Sequence, residues 1–293
     1  MKEQEQMYLY DVFRARIRIK KKFIERLGYR PNLRKPESYC EKIQWLKLNH
    51  NTFDESIIER ADKYLVRSFM ERKKLGQYLV TLYGSWNTPE EIDWDKLPSK
   101  FVLKLNNGSG RKYIWFVKDK KHFSVNEFER EVKKRMAEKF GHKLGQFHYG
   151  KMPTKIIAEE YLEEHSCRSI RDYKFYCFHG KIAFFSIDEG RYEGLHTRDY
   201  YNLDWEKSPI DFFNDVARPH DPYTKPDNFQ QMVSLAETLS IGYPHVRVDL
   251  YCVNGVVYFG ELTYTPENGF SQWKPRSLDF EFGKLMDIHN ITH

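Results

Sequence analysis

The sequence predicts an α+β protein. Helical segments alternate with antiparallel hairpins, and the chain shows no internal repeat or low-complexity tract. Apolar residues make up 40% of the 293 residues, with 20 Tyr and 21 Phe, so the chain can bury a sizeable core. No apolar run approaches the roughly 18 residues of a membrane span, and the first residues lack a signal-peptide pattern. The four cysteines form no CxxC pair, so we expect free thiols, no zinc site and a cytoplasmic protein.

The first 35 residues carry the basic character of the chain. They hold eleven Lys or Arg and four Asp or Glu, a net +7, which leaves −1 for the rest of a chain whose net charge is +6. Nucleic-acid-binding proteins usually carry positive charge on the folded body, so no nucleic acid partner is expected. Apolar residues recur here at helical spacing: Phe13, Ile17, Ile24 and Leu27. This predicts a basic helix within residues 7–27, whose stripe either covers the protein's own core or contacts an anionic membrane.

The later elements follow in order from the hydrophobic period. Helical spacing predicts two or three short helices within 40–75 and longer helices at about 124–140 and 227–241. Short strands are predicted at 78–83 and 156–164. Alternating patterns around a turn predict three hairpins, at 101–118, 172–190 and 246–264. A stretch with four prolines, 209–226, predicts an irregular connection.

The first candidate binding motif is the loop of the 101–118 hairpin. Its residues are Lys104, then Asn107, Gly108, Ser109 and Gly110. Small residues let backbone N–H groups approach phosphate oxygens, and the lysine adds a positive charge. The loop differs from a Walker A motif, in which the lysine follows the glycines and a helix begins. The alternative is an ordinary hairpin tip.

The second motif ends the strand at 156–164. It consists of Glu159, Glu160, Tyr161 and Leu162. Backbone groups at this strand end are placed to bind an adenine edge, and a carboxylate can accept a hydrogen bond from the adenine amino group. The alternative is an acidic strand end in solvent.

The third motif lies on the 246–264 hairpin, with Arg247 and Asp249 on one arm and Glu261 on the other. Two carboxylates and substrate phosphates suit Mg²⁺; the alternative is a cross-strand salt bridge. A two-residue Asn254-Gly255 loop would send the two acids to opposite faces. We therefore predict a three-residue loop from Val253 to Gly255, which pairs Cys252 with Val256, Arg247 with Glu261 and Asp249 with Phe259.

Taken together, these segments resemble the ATP-grasp superfamily, and within it the TupA-like (teichuronopeptide biosynthesis) proteins. The resemblance covers roughly residues 40–275 and rests on EKIQWLKL, ADKYLVRSF, LPSKFVLKLNNGSG, IIAEEYLEE, DYKFYCFHGK, HTRDYYNLDW and VRVDLYCVNGVVYFGELTYTPENGF. It implies an ATP-grasp fold in which two α+β lobes enclose an ATP cleft. The expected parts are a helical region at 1–60, a nucleotide lobe at 61–162 and a C-terminal lobe with the metal site at 163–293.

The resemblance also implies roles for single residues. Lys63 and Lys104 match the two lysines that bind ATP, with the 107–110 loop at the phosphates and residues 159–162 at adenine. Asp249 and Glu261 match the Mg²⁺ ligands, and Arg247 the arginine near the transferred phosphate. Two departures stand out. Thr263 occupies the position where the superfamily usually has Asn, and few residues precede Lys63, so we expect the acceptor to be held in another way.

The segments DYKFYCFHGK and HTRDYYNLDW supply further candidates. Lys174, His196 and Arg198 are predicted to bind the acceptor, with Tyr200, Asp204 and Trp205 nearby; the alternative is a polar strand edge with a buried Trp. The resemblance implies an ATP- and Mg²⁺-dependent carboxylate–amine ligase. It would join an amino acid or amine to a carboxylate-bearing saccharide of a bacterial surface polysaccharide or its precursor. The alternatives are a glycosyltransferase of polysaccharide synthesis and a non-catalytic nucleotide-binding protein.

Overall fold

A computed structural model describes residues 2–165, 169–192, 194–212 and 216–289. Seven helices and eleven strands are present in these ranges. The helices are α1 Lys2–Leu27, α2 Tyr39–Asn49, α3 Glu55–Ala61, α4 Val66–Arg72, α5 Val125–Met136, α6 Phe229–Ser240 and α7 Ser277–Leu285. The strands are β1 Leu82–Trp86, β2 Phe101–Leu105, β3 Ile114–Val117, β4 Ile156–Glu160, β5 Asp172–Phe178, β6 Lys181–Glu189, β7 Thr197–Tyr201, β8 Asp211–Phe212, β9 Val246–Val253, β10 Val256–Thr263 and β11 Trp273–Lys274.

The smaller sheet has four antiparallel strands in the order β1-β4-β2-β3. Its inner face packs against α5, because alternate residues of β2 are apolar and Phe128 and Val132 of α5 are buried in the same cluster. Phe101, Leu103 and Leu105 point into this core. Lys104 lies between two of them in the sequence and therefore projects from the opposite face, toward the larger sheet.

The larger sheet has five antiparallel strands in the order β10-β9-β5-β6-β7. One face is apolar and is covered by α6, with Phe175, Val248 and Leu250 fully buried in the main core. The other face combines charged residues with the aromatic residues Tyr176, Phe184 and Tyr200. It carries Lys174, Asp188, Arg198, Arg247, Asp249 and Glu261. A sheet that buries charged residues on one face marks a functional surface.

The N-terminal helices complete the larger lobe. The α2 helix starts at a capping box formed by Ser38 and Glu41, and its apolar residues pack against Tyr176, Phe184 and Trp273. The α1 helix is confirmed, but of the predicted stripe only Leu27 packs on the core. Ala15, Ile19 and Phe23 are fully buried, whereas Phe13, Ile17 and Ile24 are 62%, 54% and 45% exposed.

One strand lies later than predicted. Residues 78–83 were expected to form it, but Gly76–Tyr78 form a 3₁₀ turn and the strand runs over Leu82–Trp86. The shift arises because Tyr78 and Leu79 pack on the core of the larger sheet. Pairing with β4 starts where the Thr81 carbonyl accepts a hydrogen bond from the Glu160 amide.

Candidate active site

The β9–β10 hairpin places the two predicted metal ligands. Asn254 (φ 49°) and Gly255 (φ 76°) form a two-residue loop, and Val253 lies opposite Val256. The predicted three-residue loop is therefore wrong. A bulge between Phe259 and Glu261 adds one residue to β10, so that Glu261 lies directly opposite Asp249 and Thr263 opposite Arg247. The acids still share one face, because the bulge restores the register that the short loop would have lost.

Gly260 makes this bulge sterically feasible. A β-carbon at this position would lie 2.9 Å from the main-chain oxygen of Asp249 and 3.1 Å from the ring of Tyr251. The two strands therefore approach more closely here than any side chain allows. The glycine acts on the site indirectly, since it fixes which residues of β10 face the cleft.

The acids on this hairpin are bound by cations. Arg247 donates to Asp249 through Nε (2.7 Å to Oδ1) and Nη2 (2.7 Å to Oδ2), a bidentate pair. Glu261 accepts a hydrogen bond from Thr263 Oγ1 (2.9 Å), and its carboxylate lies 3.4 Å from Lys63 Nζ and 3.6 Å from Arg247 Nη2. Burial alone would raise the pKa of Glu261, but the charges of Lys63, Arg247 and Lys174 lower it to about 2. The carboxylate is therefore ionised at neutral pH.

Lys174 is the centre of a buried acidic cluster. Its side chain is 2% exposed; its ammonium contacts Asp172 and lies 3.5 Å from Asp188 and 3.4 Å from Asp249. Burial would lower the pKa of Lys174, but the three carboxylates raise it above its usual value. Burial, together with the charges of Asp249 and Asp188, raises the pKa of Asp172 to about 6, although Lys174 opposes this shift.

The predicted acceptor residues meet at Asp188. Arg198 binds this carboxylate through Nε and Nη2, the latter at 2.9 Å, and His196 Nε2 lies 3.2 Å from Oδ1. Burial would raise the pKa of Asp188, but Lys174, His196 and Arg198 hold it well below its usual value. The structure thus brings Lys174, His196 and Arg198 together around one acid. Their role in acceptor binding stays a prediction.

The other residues of HTRDYYNLDW are placed outside the polar cluster. Trp205 packs on Tyr201 and Phe229, and its Nε1 donates to the main-chain oxygen of Tyr223 (3.0 Å). Asp204 is exposed, and Tyr200 is buried beside Phe184. Trp205 and Tyr200 pack within the fold around β7, and whether any of the three residues contacts the acceptor stays a prediction.

Between the two sheets, Lys104 of β2 and Glu159 of β4 face each other. The Lys104 ammonium lies 2.6 Å from Glu159 Oε2, and Arg67 Nη1 lies 3.4 Å from Glu159 Oε1. Glu160 projects elsewhere, since its Oε2 accepts from Thr81 Oγ1 (2.7 Å) at the exposed edge. Only the first acid of the pair therefore faces the cleft; Tyr161 packs near the ring of Phe116, and Leu162 is partly exposed.

The 106–110 loop is held from both sides. Asn106 donates to Asp62 Oδ2 (2.6 Å) and accepts from the amide of Lys155 (2.7 Å), which fixes the start of the loop. Lys63 donates to the main-chain oxygen of Gly108 (2.8 Å) and also faces Glu261, so it links the loop to the β9–β10 hairpin. Ser109 lines the adjoining cavity, Gly110 adopts φ 87°, and Asn107 donates to Thr154 Oγ1 (2.9 Å).

A cavity of about 940 Å³ opens beside the hairpin. Eight Lys or Arg residues line it, against four Asp or Glu. The basic residues are Arg18, Lys112, Lys139, Lys143, Lys174, Arg191, Arg198 and Arg247, and the acidic ones are Asp11, Glu138, Glu261 and Glu267. The excess of positive charge favours an anionic ligand. Arg18 comes from α1, so the N-terminal helix forms part of the wall.

Several residues of the buried acidic cluster, of the ion pairs at Glu159 and of the cavity wall were missed from the sequence. Asp172 and Asp188 lie directly opposite each other on β5 and β6, and the alternation of DYKFYCF and AFFSIDE placed both on the polar face. Arg67 falls one helical turn after Lys63 in ADKYLVR, which was a usable signal. Arg18 and Lys139 had no signal, because distant segments bring them to the cavity.

The model of one protein family, the TupA-like ATP-grasp proteins, matches residues 41–287. The chain belongs to the TupA-like ATP-grasp family. Membership confirms the predicted family, the α+β ATP-grasp fold and the assignment as an ATP-grasp enzyme. A search of curated proteins gave no match.

Solved structures similar to this ATP-grasp protein include three ligases or synthetases. A D-alanine–D-alanine ligase from Bacillus anthracis complexed with ATP is 15% identical, with a TM-score of 0.45, covering 78% of this chain and 64% of that chain. An N5-carboxyaminoimidazole ribonucleotide synthetase in its ADP complex is 13% identical (TM-score 0.44; 78% and 52%). The ATP-grasp ligase PsnB complexed with a precursor variant, Mg and ADP is 11% identical (TM-score 0.40; 70% and 50%). The chain spans between half and two thirds of these proteins.

The donor set of this ATP-grasp protein fits a magnesium ion. Asp249 and Glu261 are adjacent carboxylates on one face, and Mg²⁺ is usually bound by one or two carboxylates plus substrate phosphates. Among the described residues, no group of three or more His, Cys, Asp or Glu could hold a metal on its own. Glu261 is 30% exposed, whereas Asp249 is bound by Arg247. Each carboxylate oxygen has a second lone pair, so Asp249 can keep this bond and still bind a cation.

Proposed function

We propose that the protein is an ADP-forming carboxylate–amine ligase whose acceptor is a carboxylate-bearing saccharide of a bacterial surface polysaccharide or its precursor. One observation carries the proposal. Glu261 lies where the cleft between the sheets, marked by Lys63, meets the basic cavity, marked by Arg247. A phosphoryl group transferred at this junction passes from a nucleotide in the cleft to an anionic acceptor in the cavity.

The nucleotide is held between the two sheets. Lys104 and Lys63 project toward this space and supply charged donors for phosphate oxygens, each worth roughly 1.5–3 kcal/mol. The backbone of residues 107–110 lies beside Lys63, and the end of β4 at 159–162 offers main-chain groups for adenine. Glu159 pairs with both Lys104 and Arg67, so ATP binding exchanges at least one of these ion pairs for a contact with phosphate.

Asp249 and Glu261 would hold Mg²⁺ at the phosphates. The ion would neutralise negative charge on the phosphoryl group during transfer. Arg247 would supply further positive charge at the phosphoryl group. Burial would lower the pKa of its guanidinium, but the adjacent Asp249 raises this pKa well above its usual value. Arg247 therefore stays cationic and can stabilise the equatorial oxygens as they transfer.

The reaction conserves atoms and charge in two displacements. A carboxylate oxygen of the acceptor attacks the γ-phosphorus of ATP, the bond from this phosphorus to the bridging oxygen breaks, and ADP leaves. An amine nitrogen then attacks the acyl carbon, the bond from this carbon to the phosphorylated oxygen breaks so that phosphate leaves with that carboxylate oxygen, and the amine loses a proton. The products are an amide, ADP and phosphate. Arg198 and Arg191 line the same cavity as Arg247, and their positive charges support binding of an anionic acceptor there.

The test is product analysis. The full chain is incubated with ATP, Mg²⁺, a panel of uronic acids and oligosaccharides that contain them, and a panel of amino acids and amines. ADP, phosphate and an amide in equal amounts support the ligase. AMP release refutes the acyl-phosphate route, and UDP release from a sugar nucleotide supports the glycosyltransferase alternative. Nucleotide binding with no turnover for any pair of substrates favours the non-catalytic alternative.

Lys63→Ala gives a second check on the site. Its ammonium bridges the Gly108 oxygen and the Glu261 carboxylate, so its loss should weaken ATP binding about ten- to hundred-fold. The matched control is Lys96→Ala, because Lys96 pairs with Asp93 at the surface and is 84% exposed. Equal affinity of both variants for a non-hydrolysable ATP analogue contradicts the role of Lys63.

A further inference from the structure

The outward face of α1 carries an exposed apolar stripe. Phe13, Ile17 and Ile24 lie within a narrow arc of the helix, because successive members are four and seven residues apart. All three are about half exposed or more. Leu9 and Tyr10 extend the stripe toward the N-terminus and are 60% and 58% exposed. Five large apolar side chains therefore share one solvent-facing side of a single helix, opposite the face that covers the core.

Basic residues flank this stripe on both sides. At 100° per residue, Arg16 falls on one side of the stripe and Lys20 falls just inside that edge, between Leu9 and Phe13, whereas Arg14 and Lys21 fall on the other side. All four are exposed. One exposed acid, Glu25, lies nearby and forms a long contact of 3.9 Å with Lys21. The outer face thus combines apolar side chains that can enter an interface with cations that can reach anionic groups beside it.

We infer that this outer face of α1 docks the protein on an anionic lipid bilayer surface. The helix would lie in the plane of the interface, with Phe13 and Ile17 among the acyl chains and the flanking cations at the lipid phosphates. No helix in the described part of the chain is long and apolar enough to cross a membrane. The contact is therefore peripheral, and salt should weaken it.

The positive charge of this face favours an anionic bilayer over a second copy of the chain as its partner. A second copy would place the same four cations opposite themselves, which costs energy unless anions are bound between them. An anionic bilayer instead provides both the apolar layer and the opposite charge. The same helix places Arg18 in the wall of the basic cavity, so docking would bring the mouth of that cavity near the bilayer surface. The mouth of the cavity would then lie within reach of an acidic acceptor attached to a lipid, a consequence that rests on the proposed function.

Vesicle co-sedimentation of the full chain tests the inference. We use phosphatidylcholine vesicles with and without phosphatidylglycerol, at low and high salt. The wild type should bind the anionic vesicles at low salt, bind the neutral ones weakly, and be released by salt. The double variant Phe13→Asp/Ile17→Asp should lower the partition coefficient by roughly ten-fold or more, and so should Lys20→Glu/Lys21→Glu.

Matched controls separate the face from general surface effects. Ile241→Asp changes a side chain that is 66% exposed at the end of α6, and Lys96→Glu/Lys181→Glu changes two lysines that are 84% and 81% exposed. Both should bind like the wild type. Unfolding midpoints confirm that each variant is folded.

Three results would overturn the inference: no binding of the wild type to anionic vesicles, equal binding of the α1 variants, or equal loss in the controls. A wild-type dimer in light scattering that the Phe13→Asp/Ile17→Asp variant makes monomeric, with no vesicle binding, would assign the face to a second copy. ADP formation with a soluble acceptor should be the same for wild type and α1 variants. The inference and the proposed ligase activity can therefore fail separately.

Discussion

Replacing Lys174 with Met removes the only cation that contacts Asp172, Asp188 and Asp249 together in the described cluster. The side chain keeps its volume and loses its charge. Asp188 retains Arg198, and Asp249 retains Arg247. Asp172 loses its main countercharge, and its pKa, already about 6, should rise further.

The loss of stability in the Lys174→Met variant follows from the burial of the ion pairs around Lys174. Removing one partner of a buried ion pair typically costs about 3–5 kcal/mol, against a total stability of roughly 5–15 kcal/mol. The pH dependence has a definite sign. The folded pKa of Asp172 lies above its unfolded value of about 3.9, so its contribution is fully present below that pH and is lost as pH rises through the folded pKa. The loss in the Lys174→Met variant should therefore be smaller near pH 4 than at pH 8, because Asp172 is largely protonated at the lower pH, whereas Asp188 stays ionised at both.

Urea denaturation at pH 4.5, 6 and 8 measures this prediction. The expected loss at pH 8 is about 3–5 kcal/mol, equivalent to roughly 6–20 °C in Tm. Adding Asp172→Asn should restore about 1–3 kcal/mol, because the uncompensated acid is gone. Lys181→Met, at an 81% exposed side chain, should change stability by less than about 0.5 kcal/mol. A loss below about 1 kcal/mol at pH 8, or the same loss at all three pH values, refutes the reasoning.

Further predictions concern the cleft and the hairpin. Lys104→Ala should weaken binding of a non-hydrolysable ATP analogue about ten- to hundred-fold by calorimetry. The control Lys100→Ala, at an exposed ion pair outside the cleft, should bind the analogue like the wild type. Equal affinities of the two variants would contradict the role of Lys104. Glu261→Gln should keep the unfolding midpoint near wild type but lower ADP formation by about 100- to 1,000-fold, and near-normal turnover would exclude this residue as a metal ligand. Gly260→Ala should cost about 1–3 kcal/mol in urea, since its β-carbon would lie 2.9 Å from a carbonyl oxygen; an unchanged midpoint would show that the bulge tolerates a side chain. Asp172→Asn alone should remove the decline in stability between pH 4 and 6, and a persistent decline would assign it to another group.

Most elements were predictable because the hydrophobic period changes clearly along the chain. The hairpin of β5 and β6 turns at His179 (φ 48°) and Gly180 (φ 80°), as the sequence suggested. Family membership was predictable because several weak motifs occur in a fixed order, and this order is more specific than any single one of them.

The remaining errors have physical causes. The Asn254-Gly255 loop is the turn that its dipeptide favours, and the face of Glu261 depends on a bulge signalled only by an isolated Gly260. For α1, two apolar stripes exist, and only tertiary contact selects the one with Ile19 for the core. The cluster around Lys174 depends on the order β9-β5-β6, which local pattern does not determine.

The central claim is that the γ-phosphoryl group passes to a carboxylate before the amine reacts. It is tested most directly with an acceptor whose carboxylate carries ¹⁸O at both oxygens, using the acceptor and amine that give ADP in the product analysis. Mass spectrometry of the released phosphate follows the label. The account predicts one labelled oxygen in each phosphate formed, because the acyl–oxygen bond breaks when the amine displaces phosphate. Phosphate without label, formed together with ADP, would show that the terminal phosphoryl group goes to water or another acceptor and would contradict the account.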